Sequence, residues 1–580
     1  MIRLFICIGF LCCWGTTSRC QVFSGVDDLG RVLPQQNTVG EVNHKKQVGL
    51  FYFLWQGDVH SPTSERVWDL SEVYLKTPDV FQDFNHPGWG GGAGIAGRYY
   101  FWGAPVYGYY RGDDYWVQLK NIQLLTDAGV DFLVIDATNR LIYPTQSAAL
   151  FKAIEAVRLQ GKKPPKVVYY TNTASGAAMQ EIFDTYYKEG ARYRYPNCWF
   201  YLDGKPLIIG LSAEAKGKDY EHFFTFRESQ WPNEAKKANG WPWIEFQRPQ
   251  QVYYNQKGQK EIINVSTAQH PNLDASMGGS AFYGASGNWG RSYRKGTPGN
   301  PEQDLHYGYN IQEQWDFAIS QDVPFVFVTG WNEWIAGKWK RQSGNKNQAL
   351  FVDQASPEYS RDIEPSLTAG LRDHYYMQLV ANIRRYKGSP GIPPVFKKEV
   401  IRNWNDWETV PVVYEDYTGD TLHRSHPGAQ TEPAVIYTNT TGRNDLKTVK
   451  VAAGKERLYF YISTMNPLTT VSGENWMTLW LNTDQSYTSG WLGYDYRVIA
   501  GNQLQRFINQ TWKTIATVSF TMREHQLMTE IPYALIGIPG KDALLEFKWS
   551  DNMQKADPLD WYTSGDAAPG GRMNLLLRLK

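Results

Sequence analysis

Short apolar segments alternate with helical segments from Val48 to about Tyr386 of this chain. Most apolar runs are continuous and rich in Val, Ile, Phe and Tyr, as expected for strands that are buried on both faces. Strands and helices in alternation predict a parallel sheet. The clear apolar runs are Val48–Leu54, Val130–Ile135, Lys166–Tyr170, Pro206–Leu211, Trp243–Phe246, Ile262–Val265 and Val323–Val328.

An eighth strand is expected near Asn197–Tyr201, which makes a (β/α)8 TIM barrel of the α/β class the predicted fold of residues 21–388. In such a barrel the chemistry lies at the C-terminal ends of the strands. The helical candidates between the strands are Tyr115–Ala128, Gln146–Leu159, Met179–Glu189, Ile311–Ser320 and Leu367–Tyr386.

The pattern changes after Gly388–Pro394, whose sequence GSPGIPP is typical of a linker. Beyond it, short strand candidates are separated by Asn, Gly and Asp turns, and no long helical pattern intervenes. Residues 395–580 are therefore predicted to form an all-β sandwich.

The overall charge argues against a nucleic-acid protein. The chain has 59 Lys and Arg against 58 Asp and Glu, for a formal net charge of +1, whereas binding to nucleic acid depends on many phosphate contacts. Aromatic residues reach 15%, an excess that suits a protein whose flat rings stack on a ligand. With so little net charge, we expect a carbohydrate as the partner and leave the oligomeric state open.

The first 20 residues have the pattern of a signal peptide. Arg3 precedes the apolar run Leu4–Trp14, which is too short to span a bilayer. Two outcomes stay open: release as a secreted or periplasmic protein, or lipid anchoring at Cys20 to a bacterial outer membrane. After processing only Cys198 remains, so we expect no disulfide, no zinc cluster and no transmembrane span.

The densest group of candidate site residues directly follows the last apolar run, in the sequence GWNEW. Glu333 can act as acid, base or nucleophile, and Asn332 can bond a sugar hydroxyl. Trp331 and Trp334 can offer ring faces to a sugar. The structural alternative is a carboxylate that caps a helix, with tryptophans packed between helices.

A second candidate group follows the apolar run Val130–Ile135. Asp136 is costly at the end of a buried run unless it is paired or used in catalysis. Asn139, three residues later, is a candidate for binding sugar hydroxyls. A helix-capping role for Asp136 is the structural alternative.

The segment 56–116 after the first strand is long and aromatic, and insertions at this face of a barrel usually shape the substrate cleft. Trp102 and Tyr109 in this segment, and Trp55 directly before it, are therefore candidate substrate contacts. His270 follows another strand end and is a further candidate. A rigid structural loop and a buried, satisfied histidine are the alternatives.

The sequences GVDFLVID at Gly129–Asp136 and GWNEW at Gly330–Trp334 together resemble the clan of (β/α)8 proteins around glycoside hydrolase families 71 and 99. They also resemble the related WbsX-like proteins of polysaccharide loci. The resemblance covers about residues 45–388. It implies net retention through an epoxide-like intermediate, in which Glu333 would assist the sugar 2-hydroxyl.

The chain departs from the family pattern where family 99 has its acid/base, a second Glu three residues further on. Ala336 stands at that position. Either the acid comes from another strand end, with Asp136, Glu245 and Glu364 as candidates, or the mechanism differs, or the site only binds a glycan.

The second half resembles family 9-like carbohydrate-binding modules over about residues 400–580. The segments that carry the resemblance are Asp445–Ala452, Leu458–Tyr461, Trp476–Asp484, Gly493–Tyr496 and Phe547–Asn552. The resemblance implies a domain that binds a glycan or packs beside a catalytic domain. A calcium ion held by loop aspartates is left open, and no other cofactor or metal is expected.

These patterns predict an exported glycoside hydrolase that cleaves a polysaccharide or complex glycan with retention. Two carboxylates, Glu333 and Asp136, would flank the glycosidic bond. Two alternatives stay open. One is a glycan-binding protein on a barrel without activity, and the other is a WbsX-like protein of polysaccharide assembly.

Overall fold

A computed structural model describes residues 22–57, 69–271, 288–341, 347–351, 356–431, 434–540 and 542–580. The predicted signal peptide and Cys20, the candidate for lipid anchoring, lie outside these residues. No helix in the described ranges is both long and apolar enough to cross a membrane.

Eight parallel strands form the central sheet of the first half. Their order around the sheet is β7-β8-β1-β2-β3-β4-β5-β6, so the last strand pairs with the first. The eight strands are β1 (Gln47–Tyr52), β2 (Phe132–Ala137), β3 (Lys166–Thr171), β4 (Lys205–Gly210), β5 (Thr225–Gln230), β6 (Gly240–Pro242), β7 (Lys260–Ser266) and β8 (Phe325–Thr329).

This sheet nearly closes on itself, as in a barrel. Strands β6 and β7 lie side by side without a ladder of backbone hydrogen bonds. The side chain of Asn264, on β7, instead donates to the carbonyl oxygen of Trp243, just after β6, at 3.0 Å. It also donates to the hydroxyl of Thr329 at 2.7 Å. The remaining gap is therefore closed by side chains.

The prediction of a strand at Asn197–Tyr201 is wrong. Pro196–Cys198 forms a 3-10 turn, and Tyr201–Leu202 pairs antiparallel with β4. The missing parallel strand is β5, whose sequence TFRESQ has no apolar run. Its arginine, Arg227, is buried because it pairs with Glu261 of β7 at 2.7 and 2.8 Å.

Helices pack on the outside of the parallel sheet. The side chain of Asp114 caps α1 through the backbone amides of Trp116 and Val117, and Gly129 ends it in a left-handed conformation at φ 82°. The five long helices are α1 (Tyr115–Ala128), α2 (Pro144–Leu159), α3 (Ser175–Ile182, continued by a π-turn at Phe183–Tyr187), α4 (Tyr309–Ser320) and α5 (His374–Lys387).

A small antiparallel sheet covers one side of the strand ends. It is made of Arg98–Phe101, Ile335–Lys340 and Ala349–Phe351. The other short helical segments in the described ranges are Gln36–Val39, Leu70–Lys76, Pro78–Gln82, Pro87–Gly92, Ser212–Ala215, Pro301–Asp304, Trp404–Thr409, Tyr533–Ile536 and Asp560–Thr563.

The C-terminal β region consists of two main sheets that share a core, as in a sandwich. The ring of Phe460 in one sheet meets that of Phe547 in the other, with centroids 5.5 Å apart. One sheet contains Phe23–Ser24, Thr478–Asn482, Tyr496–Ile499, Gln503–Ile508, Thr511–Thr517, Ala543–Asp551, Asp566–Ala568 and Asn574–Leu579. The other contains Phe396–Lys397, Val412–Glu415, Leu446–Ala453, Arg457–Thr464, Ser519–Arg523 and Gln526–Pro532.

The two halves of the chain are joined through more than the linker. The first described strand, Phe23–Ser24, pairs with Asn574–Leu579 of the C-terminal β region, a contact that a division at residue 388 does not anticipate. A separate hairpin, Arg424–Thr431 with Ala434–Asn439, reaches the parallel-sheet half, where the backbone amide of Tyr109 donates to the hydroxyl of Tyr437.

Candidate active site

A cavity of about 320 Å³ opens at the C-terminal ends of the parallel strands. Strand β1 and the loop after it contribute one part of the wall, and the ends of β2 and β8 contribute others. The lining residues are Phe51, Phe53, Trp55, Tyr99, Asp136, Thr138, Asn139, Tyr143, Trp231, Trp243, His270, Glu333, Gly337 and Trp339.

Glu333 lies in this cavity and forms a bidentate ion pair with Arg361. The two nitrogen–oxygen distances are 2.6 and 2.7 Å, and both side chains are buried. Gly330 allows this approach, because its φ is 99° and a Cβ at this position would clash with the carbonyl oxygen of Arg361. The chain thus turns sharply after β8 and brings Glu333 against an arginine 28 residues further along.

The arginine also connects Glu333 to the rest of the cavity wall. Its guanidinium lies 3.3 Å from Nδ1 of His270 and 5.1 Å from the ring centroid of Trp243. A bidentate arginine favours the charged form of a carboxylate. The pair therefore favours a charged Glu333, a form that has no proton to donate.

Asp136, the second predicted catalytic carboxylate, lines the same cavity. Its Oδ1 accepts a hydrogen bond from the backbone amide of Thr138 at 3.0 Å, which fixes the turn after β2. Asp136 is partly exposed and Asn139 is exposed, whereas Glu333 is buried. The structure therefore brings Glu333, Asp136, Asn139, His270 and Trp55 together.

Aromatic rings form much of the cavity wall, and most of them were not among the predicted site residues. Trp231 meets Trp243 edge to face at 5.4 Å, and Trp55 meets Tyr99 in the same way at 5.5 Å. Trp339 is 38% exposed at the lip. Ring faces beside two carboxylates suit a sugar ligand, whose CH groups pack on aromatic surfaces.

Trp331, Asn332 and Trp334 do not line the cavity. Asn332 is buried and bonds both the backbone amide and the carbonyl of Phe53, each at 2.9 Å, so that it ties the loop after β8 to the end of β1. Trp334 stacks on Phe101, and Trp331 packs against a core tyrosine. Their predicted sugar contacts stay predictions.

Tyr109 and Trp102 also lie outside the cavity wall. The Tyr109 hydroxyl donates to Asp69 at 2.5 Å, and the Trp102 indole nitrogen donates to Asp362 at 3.3 Å. Both rings are buried. They support the loops around the site, and direct contact with a substrate stays a prediction for each.

The other candidate acids, Glu245 and Glu364, are buried outside the cavity wall. Burial raises the pKa of both, and that of Glu364 well above its usual range although Tyr110 donates to it at 3.0 Å. Ala336, at the position of the second family glutamate, lies in an apolar cluster and pairs with Tyr100. Among the lining residues, Asp136 is thus the second carboxylate beside Glu333.

Metal-ligand spacing occurs away from this cavity. In the described part of the chain, two groups of side chains could hold an ion, Asp28–Asp373–His374 and Asp420–Asp445–Asp566. Neither contributes to the cavity wall.

A second aromatic cavity, of about 460 Å³, lies in the C-terminal β region. Trp480, Trp491 and Trp512 line it together with Arg497, whose guanidinium lies 4.7 Å from the ring centroid of Trp512. Trp480 and Trp491 are 5.0 Å apart with their planes at 32°.

No family model and no curated protein matches this chain. Among solved structures, it is similar to the GH99 endo-alpha-mannosidase from Bacteroides thetaiotaomicron. The complex with bis-tris-propane is 13% identical with a TM-score of 0.32, and a second structure is 15% identical with the same score. Each match covers 59% of this chain and 97% of the other.

Alpha-L-fucosidase isoenzyme 1 from Paenibacillus thiaminolyticus is 9% identical to the chain, with a TM-score of 0.20. This match covers 84% of this chain and 96% of the fucosidase.

Proposed function

We propose that this protein is a glycoside hydrolase of the family 71/99 type that cleaves a polysaccharide or complex glycan. The observation that carries the proposal is a single cavity in which Glu333 and Asp136 share a wall with several tryptophans. Paired carboxylates are the groups that glycosidic cleavage requires, and the rings supply the surface on which a sugar binds. The sequence resemblance around GVDFLVID and GWNEW points to the same class.

In the proposed reaction Glu333 works as the charged partner. It accepts the proton of the sugar 2-hydroxyl, whose oxygen then attacks the anomeric carbon as the glycosidic bond breaks, so that the configuration is retained after water opens the epoxide-like intermediate. Asp136 protonates the departing oxygen and later takes a proton from the attacking water, while Glu333 returns its proton to the sugar 2-oxygen as the epoxide opens. The Arg361 pair supports giving the acid role to Asp136, because it favours the charged form of Glu333.

The C-terminal β region is proposed to bind glycan as a carbohydrate-binding sandwich. The cavity of Trp480, Trp491 and Trp512 supports this assignment, because it offers indole rings next to polar side chains. The leader sequence supports export, so we propose that the protein acts outside the cytoplasm on an external glycan.

Replacement of the two carboxylates tests the proposed reaction. We expect E333Q and D136N each to lower turnover by about 10²–10⁴-fold on polysaccharides that the wild-type protein cleaves. E302Q, in an exposed short helix, serves as the matched control and keeps its activity. Circular dichroism checks that each variant folds. An E333Q variant with wild-type turnover contradicts the proposed role.

A glycan-binding protein without activity is the second candidate. Ala336 favours it, because the family acid/base position holds a methyl group buried among apolar residues. This candidate predicts glycan affinity without released oligosaccharide. Reducing-end assays and calorimetry on the same polysaccharides separate the two candidates, since Glu333-dependent product release occurs only in the first.

A further inference from the structure

A cluster of buried aspartates lies where the parallel-sheet half meets the C-terminal β region. Asp420, Asp445 and Asp566 each place a carboxylate oxygen within 4.8 Å of the other two. All three side chains are at least nine-tenths buried, and so is that of Asp416 nearby. These four aspartates form the interface acid cluster, which lies apart from the candidate active site.

The cluster carries more negative than positive charge. Lys120 of α1 pairs with Asp420 at 3.0 Å. Lys548 is also close enough to interact with the cluster electrostatically, but its ammonium donates to the carbonyl oxygens of Pro569 and Gly571. The charge of Lys162 acts on Asp416 as well, so the four carboxylates outnumber three nearby lysines by one. Burial of uncompensated charge is costly unless a cation or protons neutralise it.

Three carboxylate oxygens of the cluster have no hydrogen-bond partner in the described part of the chain, and each is buried. They are Asp416 Oδ2, Asp420 Oδ1 and Asp445 Oδ1. Asp416, Asp420 and Asp566 line a small cavity of about 40 Å³. This space exceeds the roughly 10–15 Å³ that a single water-sized particle needs, so it has room for a small ion.

Backbone amides hold the carboxylates in place. The amide of Gly419 donates to Asp445 Oδ2 at 2.9 Å, and the amide of Leu446 donates to Asp566 Oδ2 at 2.7 Å. These bonds leave Asp445 Oδ1 available. The site is therefore ordered by the loops themselves, which reduces the entropy that a ligand must lose on binding.

We propose that the interface acid cluster binds a divalent cation of the calcium type and thereby orders the loop Asp416–Asp420, through which the C-terminal half contacts α1. Calcium takes oxygen ligands at 2.3–2.6 Å, so two of its ligands lie no more than about 5 Å apart. The spacing of 4.8 Å satisfies this limit. The donors are carboxylates, which favours calcium over zinc.

The ordering role follows from where the ligands and their neighbours lie. Asp420, Asp445 and Asp566 all belong to the C-terminal half, and Asp420 accepts hydrogen bonds from Lys120 and Gln123 on α1 of the parallel-sheet half. Between Asp416 and Asp420, the hydroxyl of Tyr417 donates to Asp127 of α1 at 2.7 Å. A cation in the cluster would fix this loop against Asp445 and Asp566, so that Tyr417 and Asp420 stay placed against α1.

Calcium-dependent stability tests the proposal without any assay of glycan cleavage. The full-length wild-type protein is stripped with a chelator and then titrated with calcium chloride. We expect a rise in the unfolding midpoint of about 3–6 °C at calcium well above the dissociation constant. Calorimetry should give one ion bound per chain at this cluster, with magnesium binding more weakly.

The D445N variant provides the sharpest contrast. Its amide oxygen can still accept from Gly419, while one negative charge is lost. We therefore expect D445N to be at least as stable as the wild-type protein in chelator, and to lose most of the calcium response. D566N is the second variant, and D542N, at an exposed position of the same region, keeps the wild-type response.

Three results would overturn the proposal. They are no calcium-dependent shift in the stripped wild-type protein, an unchanged shift in both D445N and D566N, or a preference for zinc over calcium.

Discussion

Two triads of potential metal ligands lie between the parallel-sheet half and the C-terminal β region, and they differ in their neighbours. Asp28, Asp373 and His374 form one, and Asp420, Asp445 and Asp566 form the other, and in each the ligand atoms lie within 4.8 Å of one another. In the first triad, Arg572 contacts Asp28 at 2.6 Å and Asp373 at 2.5 Å, and Arg372 contacts Asp28 at 2.7 Å. The second triad has one lysine pair.

Ligand spacing alone therefore does not define a cation site. Arginine already neutralises the first triad, so a metal ion there would have to displace an existing partner. At the candidate active site, Arg361 neutralises the buried carboxylate of Glu333 in the same way. The interface acid cluster has spare negative charge and unpartnered oxygens, which makes it the better cation site.

The largest expected effect comes from removing the arginine of the first triad. R572M leaves Asp28 and Asp373 without their shared partner in a mostly buried environment, and we expect the free energy of unfolding to fall by about 3–5 kcal/mol. Chemical denaturation measures the loss. R402M, at an exposed position, is the control and should change stability by less than about 0.5 kcal/mol. A loss below about 1 kcal/mol for R572M would contradict the assigned compensation.

Removal of the lysine at the second triad should have a smaller effect that depends on calcium. K120M deprives Asp420 of its ion pair, and we expect a loss of about 2 kcal/mol in chelator. Since the cluster becomes more negative, its affinity for calcium should rise and the loss should shrink when calcium is added. Denaturation curves in both conditions test this. K152M, on α2, is the control, and its free energy of unfolding should change little and equally in calcium and in chelator. A K120M loss that is the same with and without calcium would count against a bound cation.

The central sheet was largely predictable because buried parallel strands have a strong local signal. The run Val130–Ile135 corresponds to β2 and Val323–Val328 to β8, each within two residues at either end. Strand β5 was missed because Arg227 and its polar neighbours conceal it, and its partner Glu261 lies 34 residues away. A pair that forms only in three dimensions leaves no local pattern in the sequence.

The candidate site was predictable only in part for the same reason. Glu333 and Asp136 follow strands, and parallel strands end at one face of a sheet. Arg361 comes from an irregular loop and carries no motif that would assign it to Glu333. The tryptophans beside Glu333 are core residues. The sequence could not predict this, because the residues directly after Gly330 form neither helix nor strand, and no periodicity assigns each ring to a side.

Glu364 is an intermediate case, a buried carboxylate with a tyrosine partner and no arginine. Burial raises its pKa well above its unfolded value near 4.5, the bond from Tyr110 opposes the rise, and Asp362 adds to it. The folded protein therefore holds this proton more tightly, so the stability that Glu364 contributes is present below about pH 4.5 and is lost as the pH rises toward the folded value. We expect E364Q to be more stable than the wild-type protein at pH 7 by about 1–2 kcal/mol.

Denaturation at several pH values from 4 to 8 measures this difference. The stability curves of E364Q and the wild-type protein should converge near pH 4 and separate as the pH rises. The stability curve of E302Q, at an exposed position, should follow that of the wild-type protein at each pH. A gap of the opposite sign at pH 7 would show that Glu364 is charged in the folded state.

The smallest expected effect belongs to Asp28, the exposed member of the first triad. Burial alone would raise its pKa, but the bond with His374 and the charges of Arg572 and Arg372 outweigh burial and hold the pKa below its usual range. Its contribution is thus present above its unfolded value near 3.8 and is lost as the pH falls.

Because solvent screens this side chain, we expect D28N to lose only about 0.5–1 kcal/mol at pH 7, and less near pH 3. Its calcium response should equal that of the wild-type protein, since the arginines and not a cation neutralise this triad. Thermal unfolding of D28N and D445N, each with calcium and with chelator, compares the two triads directly. A calcium response that disappears in D28N and persists in D445N would show that the first triad binds the cation and that the interface acid cluster does not.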